Sequence, residues 1–111
     1  MTDENDILIP ISMSIILDAG NAREKSEKAM LYARNGDFDN ARLYMDKARK
    51  LMQSAHQAQT EVIQKETQGE NINLSLLFIH AQDTLMTIRS ELIMKEKMIG
   101  LYELVNTSSS H

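Results

Sequence analysis

Apolar side chains recur every three or four residues along three long stretches of this chain, which is the spacing of one face of an α-helix. Breakers are few: Asn35-Gly36 follows the first stretch and Gln68-Gly69 follows the second. Pro10 suits an early position in the first helix, where its missing backbone N–H costs nothing. The pattern therefore predicts an all-α protein with helices over about 8–35, 38–68 and 72–105.

The connections between these stretches are short and carry helix-boundary signals. Gly36 suits the left-handed position after a helix end, Asp37 offers an N-cap carboxylate, and Asp39 adds negative charge to the first turn that follows. Connections of a few residues make neighbouring helices antiparallel, so we expect an up-down-up three-helix bundle. Residues 1–105 form this single domain, and residues 106–111 are expected to be a flexible polar tail.

Each predicted helix carries a stripe of residues that we expect to be buried. On the first helix the stripe is Ile11, Ile15, Ala19, Ala22, Ser26, Ala29 and Ala33. On the second it is Phe38, Ala41, Tyr44, Met45, Ala48, Leu51, Met52, Ala55, Val62 and Ile63. On the third it is Leu74, Phe78, Ala81, Leu85, Ile88, Leu92 and Ile99.

The third helix is apolar on a second face as well. Roughly opposite the first stripe lie Leu76, Asp83, Met94 and Leu101, with Ile79 and Met86 on the flank. A slender three-helix bundle can bury only one of these faces, so the pattern favours self-association through the other. The alternative is a single, unusually broad hydrophobic face.

Length and composition exclude several classes of protein. The chain of 111 residues is long enough for one domain and has no cysteine for a disulfide, a thiolate nucleophile or a cysteine-ligated metal. Its formal net charge of −4 makes a nucleic-acid partner unexpected. The sequence also shows no secretory signal and no window of about 20 apolar residues, so we expect a soluble cytoplasmic protein that does not insert into a membrane.

Four polar residues are candidates for chemistry. Asp83 interrupts the second apolar face, where a carboxylate must be paired, protonated or bound to a cation, although a lone Asp on a helix is more often simply exposed. His80 lies beside it, either as a structural histidine or as a reactive one. His56, at the edge of the second helix's stripe, is expected to be partly buried and structural, and His111 in the tail is expected to be inert.

The segment around His80 resembles a known family. Residues 80–86 read His-Ala-Gln-Asp-Thr-Leu-Met, which is similar to the His-Ala-Gln-Asp-His-Leu-Met motif of lactose/cellobiose-family enzyme IIA, a component of the bacterial phosphoenolpyruvate-dependent sugar phosphotransferase system. Residues 19–23, Ala-Gly-Asn-Ala-Arg, resemble the family's Ala-Gly-Asp-Ala-Arg. Residues 35–38 and 55–66 match its first turn and second helix, so the resemblance covers roughly residues 11–104.

This resemblance implies a homotrimer and a phosphocarrier. His80 would accept a phosphoryl group from the phosphohistidine of HPr and pass it to a cysteine of enzyme IIB. Asp83 would meet its symmetry mates at the trimer axis and hold a divalent metal, with Mg²⁺ as the expected ion. Phe78, Gln82 and Thr84 would be active-site neighbours, and no nucleotide is expected because the chain has no Gly-rich loop. Phe78, Ile79 and nearby methionines would form the apolar surface that recognises both protein partners.

The chain departs from the family motif at Thr84, where the family has a second histidine. Threonine can donate a hydrogen bond but cannot carry charge, so a regulatory relative with weakened phosphotransfer is the alternative to a working carrier. A structural helical module with an incidental resemblance is a third hypothesis. Residues 59–66 look more like the cellobiose branch than the lactose branch, which favours uptake of cellobiose or a related β-linked disaccharide.

Overall fold

The computed structural model describes residues 4–69 and 75–109 and folds them into three α-helices. They are α1 (Glu4–Arg34), α2 (Phe38–Thr67) and α3 (Leu76–Ser109). The part of the chain that is described contains no strand, which confirms the predicted all-α class. The molecule measures 68 × 21 × 18 Å, so it is the slender bundle that the sequence predicts. None of the described helices is long and apolar enough to cross a membrane.

The connection between α1 and α2 is built as the sequence predicts. Gly36 has a positive φ of 79°, a conformation that glycine adopts without steric cost, and its N–H donates to the carbonyl of Ala33. The Asp37 side chain accepts a hydrogen bond from the backbone N–H of Asn40, as an N-cap does. The second helix ends at Thr67, just before Gly69, which also has a positive φ.

The outer ends of the bundle differ from the prediction. The first helix begins at Glu4, so Pro10 lies inside α1 and not in its first turn. Ser75 precedes α3 and its hydroxyl accepts the backbone N–H of Phe78, whereas predicted helical residues 72–74 lie outside the described part of the chain. The third helix continues to Ser109, because no Gly or Pro interrupts residues 106–109.

The core follows the predicted stripes closely. Ile15, Val62 and every described residue of the α3 stripe are buried. Ile63 is the exception, since it is 42% exposed. Leu74 lies outside the described residues, and Ser12 is buried although its hydroxyl was not expected in the core.

Alanine recurs in the cores of α1 and α2, beside larger side chains such as Ile15 and Met45, whereas the core stripe of α3 consists mostly of large side chains. Fully or almost fully buried alanines on α1 are Ala19, Ala22, Ala29 and Ala33, and those on α2 are Ala41, Ala48 and Ala55. Short side chains let helix axes approach closely, which accounts for the narrow cross-section. The third helix fills the remaining space with Phe78, Leu85, Ile88 and Leu92.

Ion pairs join α3 to both other helices. The guanidinium of Arg23 on α1 donates two hydrogen bonds to the carboxylate of Glu91, at 2.9 and 2.8 Å. The ammonium of Lys95, only 13% exposed, donates to the hydroxyl of Ser26 and to Glu27, each at 2.8 Å. On the other side, Arg42 pairs with Glu103 and Arg49 pairs with Glu96. The spacing of apolar residues in the sequence does not predict any of these ion pairs.

We expect Ala48→Leu to lower the free energy of unfolding by about 1–3 kcal/mol, because three extra carbon atoms have no space in the core. Chemical denaturation measures the change. Lys50→Leu introduces the same side chain at an exposed position of α2 and serves as the matched control. Equal stability of the two variants would contradict close packing at Ala48.

The ion pair between Arg23 and Glu91 should make part of the stability depend on acid pH. The hydrogen bond from Arg23 lowers the pKa of Glu91 below its ordinary value of 4.5, so the folded state gains from the carboxylate above that pH. We expect Glu91→Gln to be less stable than the wild type by about 0.2–1 kcal/mol near neutral pH, since the pair is partly exposed. The gap should close as the pH falls below 4.5.

Denaturant titrations across this pH range measure that gap. Glu24→Gln is the control, because Glu24 forms no ion pair with the described part of the chain. A gap for Glu91→Gln that stays constant in acid would contradict the assignment.

Candidate functional site

The outer face of α3 is a continuous apolar surface. Leu76 is 82% exposed, and Ile79, Met86, Met94 and Leu101 on the same side of the helix are exposed as well. These are the residues of the predicted second stripe, and the chain does not bury them within itself. The prediction that α3 is apolar on two faces, of which only one packs inside the chain, is therefore confirmed.

His80 and Asp83 both lie exposed on this side of α3. A spacing of three residues turns a helix by about 300°, so the two side chains are neighbours separated by about 60°. Neither side chain forms a hydrogen bond or an ion pair with any residue in the described ranges. The imidazole of His80 is thus available to react with a partner, and the carboxylate of Asp83 is available as a ligand.

Thr84 lies half-buried one turn after His80. Its hydroxyl donates a 2.8 Å hydrogen bond to the backbone carbonyl of His80, as serine and threonine hydroxyls within helices often do. The hydroxyl therefore satisfies the helix backbone instead of extending towards the imidazole. Gln82 is also half-buried and lies on another side of α3, about 200° around the helix from His80.

Phe78 does not contribute to the surface around His80. Its side chain is fully buried in the core, in the stripe that includes Ala81 and Leu85. The expectation that Phe78 forms part of the recognition surface is therefore wrong. The helical period explains this, because residues two apart on a helix point in different directions. Phe78 instead packs the first turn of α3 against the hydrophobic core.

His56 lies away from this face and lines a different feature. It is exposed, which corrects the expectation of a partly buried imidazole. Together with Arg89, Leu92 and Ile93 it borders an open cleft of about 630 Å³ between α2 and α3. His80 does not line this cleft. His111 lies outside the described residues.

Charged side chains of both α2 and α3 line the cleft, among them Arg49 and Glu96. Burial alone would lower the pKa of the Arg49 guanidinium, but its hydrogen bonds to Glu96 and Asp46 outweigh burial and raise it. The pKa of Arg23, at the other side of α3, is raised chiefly by its hydrogen bond to Glu91. Both arginines therefore stay charged and serve the packing of the helices.

A single copy of the described chain cannot enclose a metal ion. It contains no group of three or more His, Cys, Asp or Glu side chains that could bind one together. Asp83 nevertheless has the properties of a shared ligand, because its carboxylate is exposed, unpaired within the described residues and flanked on the helix by Ile79 and Met86. Carboxylate oxygen is a preferred ligand of Mg²⁺. A site built from one Asp83 of each of several copies is compatible with this geometry.

The chain matches a model of one protein family over residues 10–103. That model is described as the lactose/cellobiose-specific IIA subunit of the sugar phosphotransferase system. This chain belongs to that enzyme IIA family. The match includes all of α2 and the segment of α3 that carries His80 and Asp83, so the family recognised from the sequence is confirmed.

Individual members of the enzyme IIA family show the same similarity. The lichenan-specific phosphotransferase enzyme IIA component of Bacillus subtilis (strain 168) is 38% identical over 89% of this chain and 90% of its own length. The crystal structure of the cellobiose-specific enzyme IIA of Bacillus anthracis is 36% identical, with a TM-score of 0.84 over 96% of this chain and 94% of that one.

A third relative was solved together with a partner. The chitobiose IIA in the solution structure of the IIA–HPr complex of Escherichia coli is 28% identical to this chain. Its TM-score is 0.78, over 96% of this chain and 99% of that one. Enzyme IIA components are phosphotransferase carriers, so these comparisons also confirm the predicted class of enzyme.

Sequence reasoning missed two properties of the site. The hydrogen bond from Thr84 to the His80 carbonyl depends on one side-chain rotamer, although the i to i−4 spacing of a threonine within a helix could have suggested it. The cleft beside His56 depends on how far α2 and α3 diverge, which no periodicity encodes.

Proposed function

We propose that this enzyme IIA accepts a phosphoryl group on His80 from phosphorylated HPr and passes it to a cysteine of enzyme IIB during sugar uptake. The observation that carries the proposal is the exposed imidazole of His80, which has no partner among the described residues and stands on the free apolar face of α3. Family membership supplies the class of reaction.

The reaction requires little beyond placement of the imidazole. A neutral ring nitrogen of His80 attacks phosphorus in line, the P–N bond to the histidine of HPr breaks, and a new P–N bond forms on His80. In the second half the thiolate of enzyme IIB attacks the same phosphorus and the His80 imidazole leaves. The transition state is loose, so position and charge compensation dominate the rate. The helix α3, which packs against the core through Phe78 and Ala81, supplies the position.

The surface around His80 suits recognition by protein partners in succession. Ile79 and Met86, on the flank of the outer face, are exposed near it, and flexible methionine side chains adapt to more than one partner surface. HPr is the donor in this proposal, supported by the similarity to the enzyme IIA in the chitobiose IIA–HPr complex of Escherichia coli. The phosphoryl group itself is recognised as part of the donor protein.

The three helices run antiparallel in the order up-down-up. Two ion pairs between α2 and α3 support this arrangement. Arg42, near the start of α2, pairs with Glu103 late in α3. Arg49, seven residues further along α2, pairs with Glu96, which comes seven residues earlier in α3. When the residue numbers of the partners increase along one helix and decrease along the other, the two helices run antiparallel.

Three such chains form a homotrimer through the centre of the outer face of α3, which is Leu76, Asp83, Met94 and Leu101, and the flank with His80, Ile79 and Met86 stays open to protein partners. The exposed apolar residues of that face support this assembly, because a chain that stays alone would leave them in water. Asp83 of each copy would then meet its two counterparts at the axis, where a divalent ion, Mg²⁺ in our proposal, would offset the repulsion of three carboxylates. The ion would stabilise the assembly and takes no part in the transfer step proposed above.

The most specific part of the proposal is the identity of the sugar. Similar enzyme IIA proteins are named for lichenan, cellobiose, lactose and N,N'-diacetylchitobiose. We assign cellobiose or a related β-linked disaccharide, on the similarity of residues 59–66 to the cellobiose branch.

A regulatory protein with weakened transfer is the second candidate. It is favoured by the state of Thr84, whose hydroxyl is bonded to the His80 carbonyl and so is not directed at the imidazole. A family histidine at this position would bring a second imidazole to the same turn, which Thr84 cannot replace.

Intact-mass measurement after incubation with phosphoenolpyruvate, enzyme I and HPr tests the proposal. We expect a gain of one phosphoryl group per wild-type chain, labile in acid and absent without HPr. His80→Gln should lose this gain completely, whereas His56→Gln, a matched change at an exposed histidine on another face, should keep it.

The same experiment separates the two candidates. The carrier predicts that the wild type is phosphorylated to completion and that Thr84→His changes the initial rate little. The regulator predicts a slow wild type and a gain of about tenfold or more in Thr84→His. Phosphorylation that persists in His80→Gln would contradict both candidates.

We expect a chelator to weaken the wild-type trimer and to leave the Asp83→Asn trimer unchanged, because the amide removes both the repulsion and the metal ligand. Sedimentation equilibrium with and without EDTA measures the dissociation. Asp18→Asn, at a position without a described ion pair, should respond to EDTA like the wild type. A monomeric wild type, or equal responses of wild type and Asp83→Asn, would overturn the proposed metal-linked trimer.

A further inference from the structure

Three lysines surround one tyrosine ring on the side of the bundle formed by α1 and α2. The ammonium nitrogens of Lys25, Lys28 and Lys47 lie 6.0, 5.3 and 4.6 Å from the centroid of the Tyr44 ring. The ring of Tyr32 stacks on Tyr44 with centroids 5.4 Å apart and an interplanar angle of 28°. Two lysines come from α1 and one from α2, so the cluster exists only in the folded chain.

This cluster concentrates positive charge in a chain whose formal net charge is −4. None of the three ammonium groups forms an ion pair with a carboxylate in the described ranges. The nearby carboxylates of Glu27 and Asp46 are already paired with Lys95 and Arg49. Glu24, four residues before Lys28 on α1, adds one negative charge nearby but forms no ion pair in the described ranges, so no direct contact neutralises the three ammonium groups.

The tyrosine ring offsets only part of the cost of bringing these charges together. A cation over an exposed aromatic ring gains about 0.5–1 kcal/mol, and one ring cannot serve three ammonium groups equally well. Each pair of ammonium groups repels, although water screens the repulsion strongly. An anion that contacts more than one of the three would remove this repulsion on binding.

The number and kind of donors favour a phosphate group over a carboxylate. Three ammonium groups are point-charge donors without the fork geometry of arginine, and the hydroxyls of Tyr32 and Tyr44 have no hydrogen-bond partner among the described residues. A carboxylate carries one charge and can be satisfied by a single lysine. A phosphomonoester carries a charge of about −1.5 to −2 on three acceptor oxygens, which matches the cluster.

We propose that Lys25, Lys28 and Lys47, held around the stacked rings of Tyr32 and Tyr44, form a binding site for a phosphomonoester group. The site uses α1 and α2 only, whereas His80 and Asp83 stand on the outer face of α3. Occupation of the site therefore leaves the transfer face free, and the proposal does not depend on the proposed function.

Titration of the full chain with inorganic phosphate and with glucose 6-phosphate tests the site, followed by two-dimensional NMR at constant ionic strength. We expect saturable shifts at Lys25, Lys28, Tyr32, Tyr44 and Lys47. The triple variant Lys25→Gln, Lys28→Gln, Lys47→Gln should weaken binding by about tenfold or more. Vesicles containing phosphatidic acid form a second arm, which tells a lipid headgroup from a soluble ester as the source of the phosphate.

A matched variant removes the same charge elsewhere. This control is the triple variant Lys50→Gln, Lys65→Gln, Arg89→Gln, whose three basic residues lie outside the cluster. It should bind phosphate nearly as the wild type does. Circular dichroism confirms that both triple variants are folded. Saturable binding in either arm, lost only in the cluster variant, supports the proposal and identifies the source. Equal weakening in both variants, or no binding in either arm, would overturn it.

Discussion

The close approach of α1 and α2 through their buried alanines is the constraint on which the rest of the structure depends. Ala22 and Ala48 are fully buried in a bundle only 21 × 18 Å across, so little room remains between these two helices. Larger side chains fill the rest of the core, and α3 contributes its share from one stripe alone, which includes Phe78 and Leu85. The opposite stripe then has no place inside the chain and stays exposed.

That exposed stripe makes the site possible. A carrier that serves two protein partners needs a nucleophile that stands free on a rigid support, and His80 stands free on a helix whose inner face is anchored by Phe78. Ion pairs from α1 and α2, such as those of Arg23 and Arg49, hold α3 in place from both sides. The same helix therefore contributes the core on one face and the chemistry on the other.

How well the sequence predicts a feature depends on how far apart in the chain the interacting residues lie. The turn at Gly36 and Asp37 was predictable because glycine geometry and N-capping act within a few residues. The start of α1 and the end of α3 were not, since no breaker marks them. Ile63 was misplaced because the α2 stripe was extended towards the helix end, whereas periodicity placed Phe78 correctly in the core and only the resemblance assigned it to the recognition surface. The role of His80 came from a motif, because spacing alone favoured a structural histidine.

The central claim is that the flank of the outer face of α3, around His80, is the surface on which this protein meets its phosphoryl donor. Titration of the isotope-labelled chain with unphosphorylated HPr, followed by NMR, tests that claim most directly, because it locates the contact without requiring transfer. We expect perturbations centred on His80 and on Ile79 and Met86 at the flank of the outer face, with the α1–α2 side around Tyr44 unaffected. Perturbations centred on the α1–α2 side, or on the cleft beside His56, would contradict the account.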